Sequence, residues 1–351
     1  MIRLSLALAV MLSHFPGARL RFNVGVMAVV CFYIISGYLM QKSYLRFRAH
    51  GVRPIRGFYR DRLLRLMPLY WLVLGLSLVS LWLLEVPPWL PLLAQEPGLL
   101  SVLLNTLLLP ANYVFPPLEI PALLPHPLIP PAWSLAAELH FYLLVPLLVG
   151  LRPGWLLVLG LLSLGVQAAA VAYDTPVFGA DAFGYRYLPG VLVFFIFGLL
   201  LARSAGALVL LLWAAVAALF LVVAPAYGLL GRGYAQEQWL GALVFVPVLV
   251  LVLGAKRPRR LGFDRLLGDL AYPVFIAHFL VFLWVGQWLE VDDPLFWPAS
   301  LAAVLGLSLL LSQVQRLFER RRLALRGFDS LRGGGGGGVD FVHQTLSIKR
   351  R

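Results

Sequence analysis

Ten long apolar runs set the limits on this chain: near residues 1–16, 24–40, 69–86, 132–150, 155–173, 188–203, 207–225, 237–254, 272–290 and 297–315, each with at most one charged side chain. Wound as a helix, a run of about 18 residues rises about 27 Å, close to the thickness of a bilayer's hydrocarbon core. In that medium every backbone N–H and C=O must be satisfied within the segment, so each run is expected to be a helix. The predicted fold is therefore an all-α integral membrane protein of about ten transmembrane helices. With 61% hydrophobic and only 13% charged residues, a water-soluble domain is excluded. A further apolar piece, Leu99 to Leu109, is too short to cross and lies between proline-rich flanks, so it is expected to be re-entrant or interfacial.

The distribution of basic residues tests this topology. With the N-terminus in the cytoplasm, 25 of the 29 Lys and Arg residues fall in inner segments, and only Arg19, Arg21, Arg186 and Arg232 fall outside. Such a bias places both termini in the cytoplasm. Counting 99–109 as a full span would reverse every later basic loop. The net charge of +13 thus answers to membrane lipids, and nucleic acid is not an expected partner. Arg3 before a short apolar run resembles a signal peptide, but no small-x-small cleavage site follows His14, so the segment reads as a retained helix. Its shortness predicts that it is tilted or that the native start lies upstream. The eight prolines of 110–131 predict a stiff, non-helical rim on the outer side. The expected division is a transmembrane domain over 1–318 and a basic cytoplasmic tail over 319–351 containing the glycine run Gly333 to Gly338. Cys31 reads as a small buried apolar residue. No His or carboxylate pair at i, i+4 faces one cavity, so no metal is expected.

Function is sought in polar residues that a membrane helix has no structural use for. Arg3 and His14 are eleven residues apart, roughly 20° past three full turns, so they share one face about 16 Å apart in height. That face must look into protein or a water-filled cavity. Histidine there reads either as an interfacial residue or as a general base, able to take a proton from an attacking hydroxyl. Ser36-Gly37 marks either a close helix contact or a backbone approach to a ligand. Arg56, Arg60, Arg62 and Arg65 serve as a positive-inside anchor or as a phosphate site. In the second case the Arg62-x-x-Arg65 spacing aligns two guanidinium groups on one side of a helix. Glu138, one turn beyond Ser134 in a span entered from the outer side, is an intramembrane carboxylate and so a functional candidate. It can reach a depth comparable with that of His14 and orient its imidazole, unless a neighbouring Arg or Trp merely satisfies it. His140 projects about 200° round from Glu138 and is expected to meet a neighbouring helix. His278, about six residues into its span, is open between structure and function.

These residues carry a resemblance. Arg3-x10-His14, Phe32-Tyr33-Ile34-Ile35-Ser36-Gly37-Tyr38-Leu39, Phe58-Tyr59-Arg60-x-Arg62-x-x-Arg65-x-x-Pro68-x-Tyr70-Trp71, Trp133-Ser134-Leu135-x-x-Glu138-x-x-Phe141-Tyr142 and Tyr272-Pro273-x5-His278, in this order, resemble the membrane acyltransferase-3 family over about residues 1–320. The resemblance implies transfer of an acyl group, commonly acetyl, from cytoplasmic acyl-CoA to a hydroxyl of an envelope or extracellular glycan, in a bacterial cytoplasmic membrane. It puts His14 in the base position with Arg3 as its motif partner and Glu138 in the Trp-Ser-Leu motif. Arg60, Arg62 and Arg65, with Ser36 and Gly37, fall on the donor side, and Trp133, Ser134, Tyr272 and His278 on the acceptor side. Where a second acid often follows the first, this chain has Leu139. The rival expectation is a transporter or flippase for a glycan or lipid-linked substrate, which predicts interrupted helices in matching halves; no internal repeat is visible.

Overall fold

A computed structural model describes residues 2–15, 21–50, 53–94, 96–113, 127–175, 177–254 and 261–325, with side chains described except at 50, 261–265 and 320–325. The regular structure of the described residues is wholly helical. It runs α1 (Ile2–Ser13), α2 (Val24–His50), α3 (Pro54–Leu83), α4 (Leu99–Leu107), α5 (Ala132–Gly150), α6 (Pro153–Tyr173), α7 (Leu188–Ala202), α8 (Gly206–Ala218), α9 (Ala224–Ala226), α10 (Ala235–Gly254), α11 (Leu261–Val285) and α12 (Phe296–Leu325). A π-turn, Ala182–Arg186, leads into α7, and another, Leu219–Val223, joins α8 to α9. Among the described residues nine helical stretches are long and apolar enough to cross a membrane. α1, the first of the ten expected spans, has 12 residues and reaches only about 18 Å.

Local chemistry explains where helices start. Asn23 Oδ1 accepts from the backbone N–H groups of Gly25 at 3.0 Å and Val26 at 3.2 Å, capping α2. Pro54 and Pro153 occupy first-turn positions, where their missing N–H costs nothing. Two starts differ from expectation. α3 begins at Pro54 rather than near 69, and α11 at Leu261 rather than near 272. In α3 the arginines do not break the helix, because Arg56 and Arg60 are exposed and Arg62 pairs with Asp61 in the interior. α4, at nine residues, spans about 14 Å, in keeping with the expected short re-entrant or interfacial piece. Its Leu99, Leu100, Leu103 and Leu107 are exposed. At its end Leu108 takes φ 64°, and Asn105 ties the turn down. The Asn105 carbonyl accepts from the Tyr70 hydroxyl at 2.8 Å, and its Oδ1 accepts from the Leu128 N–H at 3.1 Å. The centre of the proline-rich stretch, 114–126, and the tail beyond 325 with its glycine run lie outside the described residues.

α2 is the central helix, packed against α1, α3, α5, α7 and α10. Lipid offers Leu side chains as good a home as protein does, so helices associate here through close packing and hydrogen bonds. At the α2–α7 crossing a Cβ on Gly37 would stand 2.0 Å from the Phe195 carbonyl oxygen, and one on Gly198 would stand 2.1 Å from that of Ile34. Only glycine permits this approach. Tyr33 and Phe141 stack on Phe195 beside it, with ring centroids 4.5 and 4.1 Å away. The outer faces of α8 and α12 show Leu210, Leu211, Leu310 and Leu317, and exposed Trp82 and Trp288 stand near helix ends, as membrane anchors do.

Candidate active site

Two groups of polar side chains stand toward the two ends of α1. The first gathers at the end of α1. Phe15 wedges among Phe282, Phe296 and Trp297, with centroids 6.3, 5.7 and 4.8 Å away, and so fixes the chain as it leaves the helix. His14, partly exposed, is thereby held against α11, where His278 is fully buried. His14 Nδ1 and His278 Nε2 are 3.1 Å apart, and the two rings meet edge to edge, near-parallel at 13° with centroids at 5.3 Å. His278 Nδ1 donates to the Val274 carbonyl at 3.2 Å.

Near His14 stands an aromatic and cationic wall. The Arg186 guanidinium lies over the Trp133 ring at 4.7 Å and the Tyr185 ring at 5.3 Å. Its Nε donates to Asp181 Oδ2 at 2.8 Å, and it is close enough to act electrostatically on His14. Tyr185 continues the wall to Tyr234, with centroids at 4.9 Å. Asn112 Nδ2 donates to the carbonyls of Trp133 and Arg186, both at 3.2 Å, linking the start of α5 to the π-turn. The turn itself is set by a buried amide network. Gln167 and Gln238 both donate to the Gly184 carbonyl, at 2.8 and 3.0 Å, and Trp239 Nε1 donates to Gln167 Oε1 at 2.8 Å. Such a network holds a turn only when its members are satisfied, as they are here.

The second group lies toward the other end of α1. Glu138 Oε1 accepts from the Ser36 hydroxyl at 2.5 Å and the Tyr142 hydroxyl at 2.6 Å. Arg3, Arg62 and Arg65 act on the same neighbourhood: Arg3 interacts electrostatically with Arg65, Glu138, Tyr142 and Arg62. Tyr272 belongs here as well, coupled to Glu138 and Arg65, and its hydroxyl donates to the Leu66 carbonyl at 2.9 Å. Beyond this group, Arg60 lines an open surface cavity of about 700 Å³ with Arg53, Arg56 and Tyr59.

Several expected pairings change. His14 meets His278, 264 residues away, and Glu138 is engaged by Ser36 and Tyr142 instead. The reason is depth, since α5 descends about 1.5 Å per residue; Trp133 at its start is level with the histidine wall and Glu138 lies below it. Arg62 and Arg65 share one side of α3, but the Arg62 guanidinium is committed to Asp61, with Nε to Oδ2 at 3.0 Å. Ser134 is not the helix cap: α5 starts at Ala132, and the Ser134 hydroxyl donates to the Pro131 carbonyl at 3.0 Å. Tyr272 falls with the Arg3–Glu138 group rather than beside Trp133. His140 does meet a neighbouring element. Its Nδ1 donates to the Ala136 carbonyl at 2.7 Å, and its Nε2 accepts from the Tyr113 hydroxyl at 2.8 Å. Burial raises that hydroxyl above its ordinary pKa, so it stays a donor.

The family match decides the broader identity: the acyltransferase-3 family, described as an acyltransferase domain, matches residues 1–313. The chain belongs to that family. It is a multi-pass membrane acyltransferase. One relative is an uncharacterized protein of Aquifex aeolicus (strain VF5), 28% identical over 220 residues, covering 56% of this chain and 90% of that protein. Another is the exopolysaccharide production protein ExoZ of Rhizobium meliloti (strain 1021), 28% identical over 271 residues, covering 73% and 76%. No solved structure matches the chain. In this acyltransferase, sequence reading passed over Arg186, Asp181, Asn112 and Asp61. Arg186 had one visible signal, as one of four basic residues outside, flanked by Tyr185 and Tyr187.

Proposed function

We propose that this acyltransferase moves an acyl group, acetyl in the simplest case, from cytoplasmic acyl-CoA to a hydroxyl of an envelope glycan, with His14 as general base. The observation that carries the reading is the pair of polar groups on one short helix: a cationic and carboxylate cluster around Arg3, and an imidazole about 16 Å away at the other end. The cluster and the arginine-lined cavity suit a phosphorylated donor entering from the cytoplasm, where both termini and most basic residues are assigned. Arg53, Arg56 and Arg60 offer unburied guanidinium groups for its phosphates. An extended pantetheine arm covers much of the height to His14.

The acceptor side is read from the wall beside His14. Tyr234, exposed at the end of that wall, offers a face on which a sugar ring can lie, with Trp133 and Tyr185 packed behind it. The name of the Rhizobium relative, an exopolysaccharide production protein, agrees with a glycan. His14 takes the acceptor's proton as its oxygen attacks the thioester carbonyl; the C–S bond then breaks, and the imidazolium returns the proton to the departing thiolate. Ester and free thiol result. Glu138, held by Ser36 and Tyr142, serves the donor end. The cytoplasmic membrane of a bacterium is the location this reading requires.

Purified protein incubated with labelled acetyl-CoA and candidate glycans should yield labelled glycan, and His14→Ala should abolish it. Persisting transfer in that variant would remove His14 from the chemistry. Glycan movement across a bilayer without acylation would favour a transporter.

A further inference from the structure

We infer that His278 is a positioning residue that sets the tautomer of His14, so that the nitrogen offered to the acceptor hydroxyl is Nε2. This rests on the reading of His14 as base. His278 Nδ1 lies 3.2 Å from the Val274 carbonyl oxygen, one turn back on α11. A carbonyl can only accept, so that nitrogen carries the ring's hydrogen, and a neutral imidazole has only one. His278 Nε2 is therefore a bare lone pair, and it faces His14 Nδ1 at 3.1 Å. One hydrogen must lie between these two nitrogens, and His14 Nδ1 has to supply it. The remaining nitrogen of neutral His14, Nε2, is left with its lone pair.

Without this contact the outcome would differ. Neutral histidine in water favours the form with hydrogen on Nε2, which would present an N–H, not a base, to the acceptor. In this bundle that form would also set two lone pairs against each other 3.1 Å apart. A carboxylate commonly does this orienting work behind a catalytic histidine, but Glu138 is taken by Ser36 and Tyr142. His278 takes that place, and its ring is locked. It is fully buried, packed against Phe279 and Phe282 with centroids at 4.9 and 5.8 Å. When His14 Nε2 accepts the acceptor's proton, the Nδ1–H···Nε2 bond to His278 persists and the lone pair of the second ring faces the new cation. The proton leaves again from His14 Nε2 to the thiolate, so the pair ends as it began.

The test reads the tautomer directly, whether or not the acceptor glycan is known. Full-length protein labelled with ¹⁵N-histidine is placed in lipid bilayers, and the His14 signals are identified by their loss in His14→Gln. In the wild type His14 should show a protonated, pyrrole-type Nδ1 and a pyridine-type Nε2. His278→Phe, which keeps a ring in the aromatic stack, should move the hydrogen to Nε2. His278→Gln, which retains an acceptor oxygen near the original Nε2, should hold it on Nδ1. A protonated Nε2 in wild-type His14, or an unchanged His14 in His278→Phe, would overturn the inference. In the transfer assay kcat should fall at least tenfold in His278→Phe with KM for acetyl-CoA unchanged, and His278→Gln should recover most of it. A purely structural role predicts the reverse order, since Phe fits the stack better than Gln. Expected tautomers with no acyl transfer by the wild type would sink the functional reading and leave the dyad standing.

Discussion

A single methyl group placed at the α2–α7 crossing should cost this protein much of its stability. In Gly37→Ala the new Cβ would lie 2.0 Å from the Phe195 carbonyl oxygen, and in Gly198→Ala it would lie 2.1 Å from the Ile34 oxygen and 2.4 Å from the Tyr38 nitrogen. Comfortable heavy-atom contact needs about 3.5 Å, so the helices must part by an ångström or more. The obstructing atoms are backbone and cannot rotate aside. Overpacking costs about 1–3 kcal/mol when side chains can yield, and the upper end applies here. Parting the helices would also loosen the stack of Tyr33 and Phe141 on Phe195 and pull Ser36, next to Gly37, away from Glu138. Thermal melting of detergent-purified protein, followed by size-exclusion chromatography after heating, should show both variants falling well below wild type. Gly165→Ala and Gly306→Ala are the controls. Their added Cβ meets nothing within 4 Å, and replacing a mid-helix glycine by alanine is worth roughly 0.5–1 kcal/mol in the stabilising direction. Crossing variants that melt with the wild type, or controls that fall equally, would refute the close approach.

Other perturbations separate fold from chemistry. Glu138→Ala removes the acceptor of both Ser36 and Tyr142 and should lower stability by about 1–3 kcal/mol, whereas Glu138→Gln should melt near wild type; equal melting of the two would show that the hydroxyls find other partners. Arg62→Ala leaves the fully buried Asp61 without its guanidinium, a loss on the order of 3–5 kcal/mol, while Arg60→Ala should leave melting unchanged and weaken acetyl-CoA binding, as read by calorimetry. If Arg62→Ala melts normally, the ion pair is not what holds that turn of α3. Arg203 donates to the carbonyls of Leu148, Val149 and Leu151 at 3.0, 3.1 and 2.5 Å, closing the C-terminal end of α5. Arg203→Lys should recover little of the stability lost in Arg203→Ala, because a point charge cannot replace a fork spread over three acceptors; full recovery would reduce the contact to simple charge.

The membrane helices were legible in the residues because span length and apolarity are local properties, and nine of the ten expected runs coincide with long apolar helices. The same holds for the short piece at 99–109, whose length follows from its apolar run alone. An unpaired polar group inside a membrane bundle is costly, so the chain also announces that His14, Glu138 and Arg62 have partners. It does not name them. Helix α3 starting at Pro54, with its charge absorbed by the Asp61 pair, already lies beyond what hydropathy reads. Which imidazole faces His14 depends on how α1 and α11 cross. Which hydroxyls reach Glu138 depends on the register that Gly37 and Gly198 allow between α2 and α7. Arg186 stands over the Trp133 ring on a turn that two glutamines from α6 and α10 hold by the Gly184 carbonyl and that Asn112 ties to the start of α5. Helical periodicity puts residues on a face, but the partner across the gap comes from packing between segments tens to hundreds of residues apart, and that is where the histidine pair was found.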